Sequence, residues 1–372
     1  MNFVILRDKL KEGLDIVSHF VNDGNNLPVL KNILVRADEN KITLSATNLE
    51  SGISFYIPCK VIQQGSFTAP ANILSQVINN IQQDKINVEQ KNSFFEIKTE
   101  NYQASIQGIS SEDFPIIPRI KNITTSLEIE GKILKEALDQ TTTATQFSDL
   151  RPELNSILFS YGLNNITFVG TDSFRLAEKK LQESQFSSNE KKEWSVLLPL
   201  KTAQELSKTI KNEGKIKINK DENQILFKSE NFEIISRTIE GAFPDYQAIM
   251  PKQFYAEITA SREEFINALK LIGIMADFGN EITVRISPGK KAIELFSKSK
   301  NQGDNTYVLS AKIDCKKDAI ETSFNWRFLL EGLKSISAEE IFFGINEENK
   351  PAILRAPQKG SYFYILMPIL KG

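Results

Sequence analysis

The residues best placed to do covalent chemistry lie together in Gly170-Thr171-Asp172-Ser173-Phe174-Arg175-Leu176, where a carboxylate, two hydroxyls and a guanidinium are close in sequence. A carboxylate beside a hydroxyl can serve as a general base, and a guanidinium can hold an anion. Hydrolysis on Asp172 would need a second acid, base or metal in pattern, and none is found. The single histidine, His19, furnishes neither a metal cluster nor a usual triad. No Gly-rich phosphate loop, H-E-x-x-H pair or nucleophile elbow occurs. Cys59 and Cys315 lack partners at metal-ligand spacing and read as ordinary strand residues. Asp172 itself reads as a turn former whose side chain takes up nearby backbone amides. The sequence thus predicts a protein that is not an enzyme and needs no metal or cofactor.

Composition sets the class. With 372 residues, 41% hydrophobic and 25% charged, the chain suits two or three globular domains rather than disorder. No apolar run is long enough to span a membrane, and Met1 to Arg7 lacks the features of a signal peptide, so a cytoplasmic location is expected. The net charge of -2 argues by itself against a nucleic-acid partner, but an acidic molecule can still carry a basic inner surface.

The elements that position these residues come in three copies. Leu10-Lys11-Glu12-Gly13-Leu14-Asp15 recurs as Leu134-Lys135-Glu136-Ala137-Leu138-Asp139, an offset of 124 that also carries Pro28 to Pro152, Leu30 to Leu154 and Thr47 to Thr171. A diverged third copy opens at Phe265-Ile266-Asn267-Ala268-Leu269-Lys270. Domains at 1–122, 126–252 and 254–372 follow. Each copy predicts a strand, then a helix with apolar residues at i, i+3, i+4 and i+7: Leu10, Gly13, Leu14, Val17; Leu134, Ala137, Leu138, Thr141; Phe265, Ala268, Leu269, Ile272. The second slot is small, which lets the helix backbone approach a sheet closely. Alternating strands follow, then a second helix on Leu74, Val77 and Ile81, on Ala203, Leu206 and Ile210, and on Leu329, Leu333 and Ile336, then more strands. The fold class is therefore α+β, three repeated domains with two helices each on antiparallel sheets.

Basic residues recur on these helices: Lys9, Lys11, Lys132, Lys135, Arg262, Lys270, Lys201, Lys208, Lys211, Arg327 and Lys334. Singly they read as solvated faces. Repeated on one side of a sheet, they would form a stripe able to follow phosphates without reading bases.

Leu27-Pro28-Val29-Leu30, Arg151-Pro152-Glu153-Leu154-Asn155, Thr171 to Ala177 and Phe243-Pro244-Asp245-Tyr246, in this order within a triple repeat, resemble the bacterial sliding clamps, the DNA polymerase III beta subunit family. The resemblance implies a DNA clamp fold that closes as a head-to-tail homodimer into a six-domain ring around double-stranded DNA, held without sequence preference. It implies a processivity factor with the replicative DNA polymerase, the clamp loader and repair and replication-control proteins as partners. These would insert a short peptide into an apolar pocket between the second and third domains. Carried over by motif, that pocket comprises Leu154, Thr171, Phe174, Arg175, Leu176, Pro244, Ile249, Met367 and Pro368. DNA contacts would fall to Gln146, Arg151 and Lys201, since Gly24 stands where some members carry Arg. Phe174 replaces the family's His or Tyr, and Ala248 a frequent basic residue, making the pocket more apolar. The alternative is a repeat-built scaffold for peptides or glycans that never encircles DNA.

The resemblance also places the dimer contact on the strand Tyr102-Gln103-Ala104-Ser105-Ile106, through Ala104 and Ile106, facing Leu271, Ile274 and Met275 of the partner. An unpaired edge strand with alternating apolar residues is an aggregation risk that such pairing removes. The sequence predicts that charge at Ile106 or Ile274 weakens dimerisation; sedimentation equilibrium checks this, and an unchanged dimer constant in both variants contradicts it.

Overall fold

The structure is a computed structural model and describes residues 1–372 apart from 22–26, 121–124, 149, 212–213, 288, 317–318, 347–348, 359 and 371–372. Gly24 and most of the segment joining the first two repeats therefore lie outside the described residues. Among the described residues there are two α-helices per repeat: α1 (Arg7–Ser18) and α2 (Ala71–Asn80), α3 (Gly131–Thr142) and α4 (Leu200–Thr209), α5 (Arg262–Ile272) and α6 (Trp326–Lys334).

The first helix of each repeat buries the stripe its spacing predicts: Leu10, Gly13, Leu14 and Val17 on α1, and Phe265, Ala268, Leu269 and Ile272 on α5. On α3, Leu134, Ala137, Leu138 and Thr141 are fully buried. In α2 the pattern shifts. Leu74 and Ile78 enter the core, while Val77 is only half-buried because it lines a cavity at the helix end.

Each repeat builds two half-sheets. In the first half, four strands run in the spatial order Gly65–Pro70, Asn32–Asp38, Lys41–Thr47, Ser51–Pro58. The second repeat gives Trp194–Pro199, Ser156–Gly162, Asn165–Thr171, Arg175–Gln182, and the third Ile320–Asn325, Glu281–Ile286, Ala292–Ser299, Gly303–Cys315. Equivalent rows cross these strands: Thr68-Leu34-Ser45-Ser54, Leu197-Leu158-Val169-Glu178 and Ser323-Thr283-Phe296-Thr306. The other half-sheet ends on Gln103–Gln107, Phe232–Arg237 or Tyr362–Leu366.

Half-sheets join across repeats. Phe232–Arg237 pairs antiparallel with Ser51–Pro58, and Tyr362–Leu366 with Arg175–Gln182. The two junctions share one register, since Ser54 faces Glu233 and its counterpart Glu178 faces Phe363. The compact units follow this pairing: one comprises residues 1–135, 186–190 and 205–238, the other 136–185, 191–204 and 239–372. Contacts thus divide the second repeat, although the sequence repeats divide the chain in three.

Among the described residues, two of the edges equivalent to those that form these junctions are left over. Gln103–Gln107 pairs with Phe94–Lys98 on one side and with no described strand on the other. Among the described residues, 303–310 pair with Ala292–Ser299 alone.

Close helix–sheet approach explains the small slot at Gly13, where a Cβ would lie 2.6 Å from Ile57 Cδ1 and 3.0 Å from Leu44 Cδ1. Both neighbours are flexible methyl ends, so Gly13→Ala should change stability by less than about 1 kcal/mol, whereas Gly13→Leu should overpack the site and cost about 3 kcal/mol, read from denaturant midpoints.

Candidate functional site

The segment that suggested chemistry is a tight turn between the strands Asn165–Thr171 and Arg175–Gln182. Its hydrogen bonds follow from its residue types. Asp172 Oδ1 accepts from the backbone amides of Phe174 and Arg175, both at 3.0 Å, and Thr171 Oγ1 donates to the Arg175 carbonyl at 2.7 Å. Ser173 takes φ +77°, and its amide donates to Thr171 Oγ1. The first repeat has the same turn: Asn48 Oδ1 accepts from the amides of Glu50 and Ser51, Thr47 Oγ1 donates to the Ser51 carbonyl, and Leu49 takes φ +75°. Asp172 is therefore the turn former that the sequence suggests.

Its remaining oxygen holds Arg175, whose Nε donates to Asp172 Oδ2 at 2.8 Å. The same guanidinium pairs with Glu331 of α6 and lies 4.2 Å from the Phe328 ring centroid. Burial opposes the Arg175 charge, but the Asp172 and Glu331 carboxylates outweigh it, and the pKa rises above the ordinary guanidinium value. Burial also pushes the Tyr364 hydroxyl up, against the neighbouring Arg175, so it stays neutral.

Around this fixed cation the structure gathers apolar groups. Leu154, Leu176 and Pro368 are buried, Pro244 and Met367 are half-buried, and Phe174 stands 64% exposed at the turn tip, with Ile249 exposed as well. Phe174 is tied to the end of the last strand, since the Met367 amide donates to its carbonyl at 2.8 Å. The equivalent bond at the other junction runs from Arg237 to Glu50, also at 2.8 Å. Leu176 packs with Val169, Phe342, Ile353 and Ile365 in a cluster partly covered by Phe243, Tyr246 and Met250. The segment before the third repeat is thus a packed wall rather than a free linker. Sequence reasoning did not single out Glu331, Phe328 or Glu178 and gave Tyr246 no role in the site beyond its place in a motif, because each acts through a partner distant in sequence.

Several basic residues prove to be structural. Arg7 Nη1 donates to the Ile81 carbonyl at the end of α2, Lys135 Nζ to the Ser207 carbonyl on α4, and Arg262 to the Leu333 and Lys334 carbonyls of α6. In each repeat a cation on the first helix thus satisfies carbonyls near the end of the second. Lys211 pairs with Glu12 and Lys208 with Glu205. Of the candidate DNA contacts, Gln146 and Lys201 are exposed, whereas Arg151 bonds Glu153 and, at 3.3 Å, Ser173 Oγ. Arg151 thus stands beside the apolar pocket.

The candidate dimer residues divide. Leu271 and Ile274 are 53% and 67% exposed, and Ala104 and Met275 are half-buried. Ile106 is only 5% exposed and lies opposite buried Phe95 in its own sheet. The alternation places Ile106 on the core face, so charge there would disrupt the fold before it could report on assembly.

Comparison with known proteins agrees with this architecture. Family models of the DNA polymerase III beta subunit match the N-terminal domain at residues 1–118, the central domain at 128–245 and the C-terminal domain at 247–370. The chain is 27% identical to a Staphylococcus aureus beta sliding clamp over 382 residues and 26% identical to that of Synechococcus elongatus over 376, with 99% of each chain covered. Crystal structures of the Bacillus subtilis DNA polymerase sliding clamp (TM-score 0.92, 24% identity) and the Pseudomonas aeruginosa DNA polymerase III subunit beta (0.90, 22%) match over 100% of both chains. Three such domains in this order define a sliding clamp, the class of protein that serves replication as a processivity factor rather than a catalyst. The chain belongs to the DNA polymerase III beta subunit family. These matches do not favour the reading as a scaffold that never encircles DNA.

Removing one partner of a buried ion pair costs about 3 kcal/mol. Asp172→Ala should lose that much from the unfolding transition, while Asp172→Asn, which keeps an acceptor for the turn amides, should lose about half as much, measured by denaturant titration.

Proposed function

We propose that two copies of this chain close head to tail into a ring that encircles duplex DNA and tethers a polymerase to its template. The observation that carries this reading is the pair of unsatisfied strand edges. Two junctions are completed within the chain in one register, and the third needs an acceptor strand for residues 303–310 and a donor for Gln103–Gln107. A second copy supplies both, twice over. Gln103 lies on Lys98 and Asn87, as Glu233 lies on Lys228 and Lys217. Thr306 occupies the place of Ser54 and Glu178 in its own half-sheet. Gln103 should therefore face Thr306 of the partner subunit.

Side chains support the same closure. A cavity of about 450 Å³ lies at the end of α2, lined by Val77, Asn80, Ile81 and Tyr102 among others. At the junction between the second and third repeats, the equivalent place receives Gln140 of α3, whose Nε2 donates to the Ser335 carbonyl at 2.9 Å beside Tyr362. The residue matching Gln140 on α5 is Leu271, which stands exposed. Leu271 and Ile274 of one copy thus fit the cavity of the other, an apolar plug in a socket rimmed by amides.

A closed ring is retained by topology, so weak phosphate contacts suffice and permit sliding. Lys201 and Gln146 are the exposed candidates for such contacts. The tether raises the polymerase's effective concentration at its template. The pocket of Leu154, Thr171, Phe174, Arg175, Leu176, Pro244, Ile249, Met367 and Pro368 would take short peptides from the polymerase, the clamp loader and repair and replication-control proteins. With Arg175 held by two carboxylates, and with Phe174 and Ala248 at the site, apolar peptide side chains are favoured. Such a protein works in the cytoplasm without catalysis, with its domains at the sequence repeats.

The test joins register and topology. Directly opposed strand positions lie close enough for a disulfide. With Gln103→Cys and Thr306→Cys, oxidation on circular duplex DNA should yield a cross-linked dimer that stays on the circle in denaturant and leaves when the circle is cut. Failure to cross-link, or release from the intact circle, would overturn the proposal.

A further inference from the structure

The geometry points to Tyr246 as a positioning residue of the peptide pocket, latching one wall of the pocket to a buried carboxylate; this rests on the pocket reading above. Tyr246 Oη donates to Glu178 Oε2 at 2.6 Å. Glu178 is 6% exposed, and its other oxygen lies 3.5 Å from Lys180 Nζ. It sits on the strand Arg175–Gln182, which also carries Arg175 and Leu176.

Tyr246 lies between Pro244 and Ile249, the two pocket residues contributed by the segment that covers the sheet. That segment is short-wired around it. The Ile249 amide donates to the Tyr246 carbonyl, the Gln247 amide to Asp245 Oδ1, and the Phe243 ring meets the Tyr246 ring edge-on at 6.3 Å between centroids. Anchoring the phenol therefore fixes both Pro244 and Ile249 relative to Leu176. Burial and the Glu178 charge push the Tyr246 pKa above its ordinary value, which keeps the hydroxyl a donor.

The first junction shows what the latch replaces. There the equivalent residue after the Phe-Pro pair is Ile117, whose Cγ2 lies 3.0 Å from where a Cβ on Gly52 would stand. Ser54 occupies the position of Glu178. An apolar contact holds that segment, and a serine stands where the second junction has Glu178. The hydroxyl–carboxylate pair is found at the junction that carries the pocket, where a directional bond defines the wall more tightly than an apolar contact can.

The test uses the full-length protein and a fluorescein-labelled five-residue peptide ending in Leu-Phe, followed by anisotropy. Tyr246→Phe should raise Kd about tenfold, and Glu178→Gln, which retains an acceptor, only about threefold. Ile249→Ala should weaken binding in the parent protein but add little in the Tyr246→Phe background, a non-additivity that a general loss of stability would not produce. If the parent protein binds the peptide and neither Tyr246→Phe nor Glu178→Gln changes Kd, the latch is overturned while the pocket stands. If the parent protein binds no peptide, the pocket reading falls and takes the latch with it.

Discussion

Backbone hydrogen bonding between the last strand of one repeat and the fourth strand of the repeat before it is the constraint from which the rest of this structure follows. A strand edge left unpaired exposes a row of donors and acceptors, and each repeat brings two such edges to its junctions. The chain satisfies four of its six such edges internally, by laying Phe232–Arg237 on Ser51–Pro58 and Tyr362–Leu366 on Arg175–Gln182. Because equivalent positions occupy the same rows even where the residue types differ, the register is fixed twice, and the remaining pair of edges inherits it. Compact units that cut through the second repeat are a direct consequence.

The same ladder creates the candidate site. Where Tyr362–Leu366 docks, the turn at Asp172 must close, and it closes by taking two backbone amides and one guanidinium onto a single carboxylate. The corresponding turn in the first repeat uses Asn48 and has Ser51 at the place of Arg175, so it organises no buried cation. Arg175 and its partners on α6 thus distinguish the pocket-bearing junction, and the apolar residues around it are held by a polar frame that is already satisfied.

Local features of this fold were legible in the sequence because they depend on short-range periodicity. The stripes on α1, α3 and α5 and the turn role of Asp172 belong to that kind. What spacing could not give was pairing over long separations: the sheets crossing repeat boundaries, the Glu331 contact to Arg175 and the Tyr246 contact to Glu178. Ile106 shows the difference well. Its alternation with Ser105 was plain, but which face met the core depended on Phe95 across the ladder. Likewise Lys135 and Arg262 read as surface charge until the carbonyls of Ser207 and Leu333 are seen beside them. The pocket residues were named by resemblance, and composition alone would have assigned Leu366 and Met367 to the core.

The central claim is that one junction stays open until a second copy closes it. Sedimentation equilibrium of the unmodified protein across a concentration series addresses it most directly. A stable species at twice 42.0 kDa is the result this account predicts. A single species at 42.0 kDa at every concentration would contradict it, leaving the edges at Gln103–Gln107 and 303–310 without the partner that their register requires.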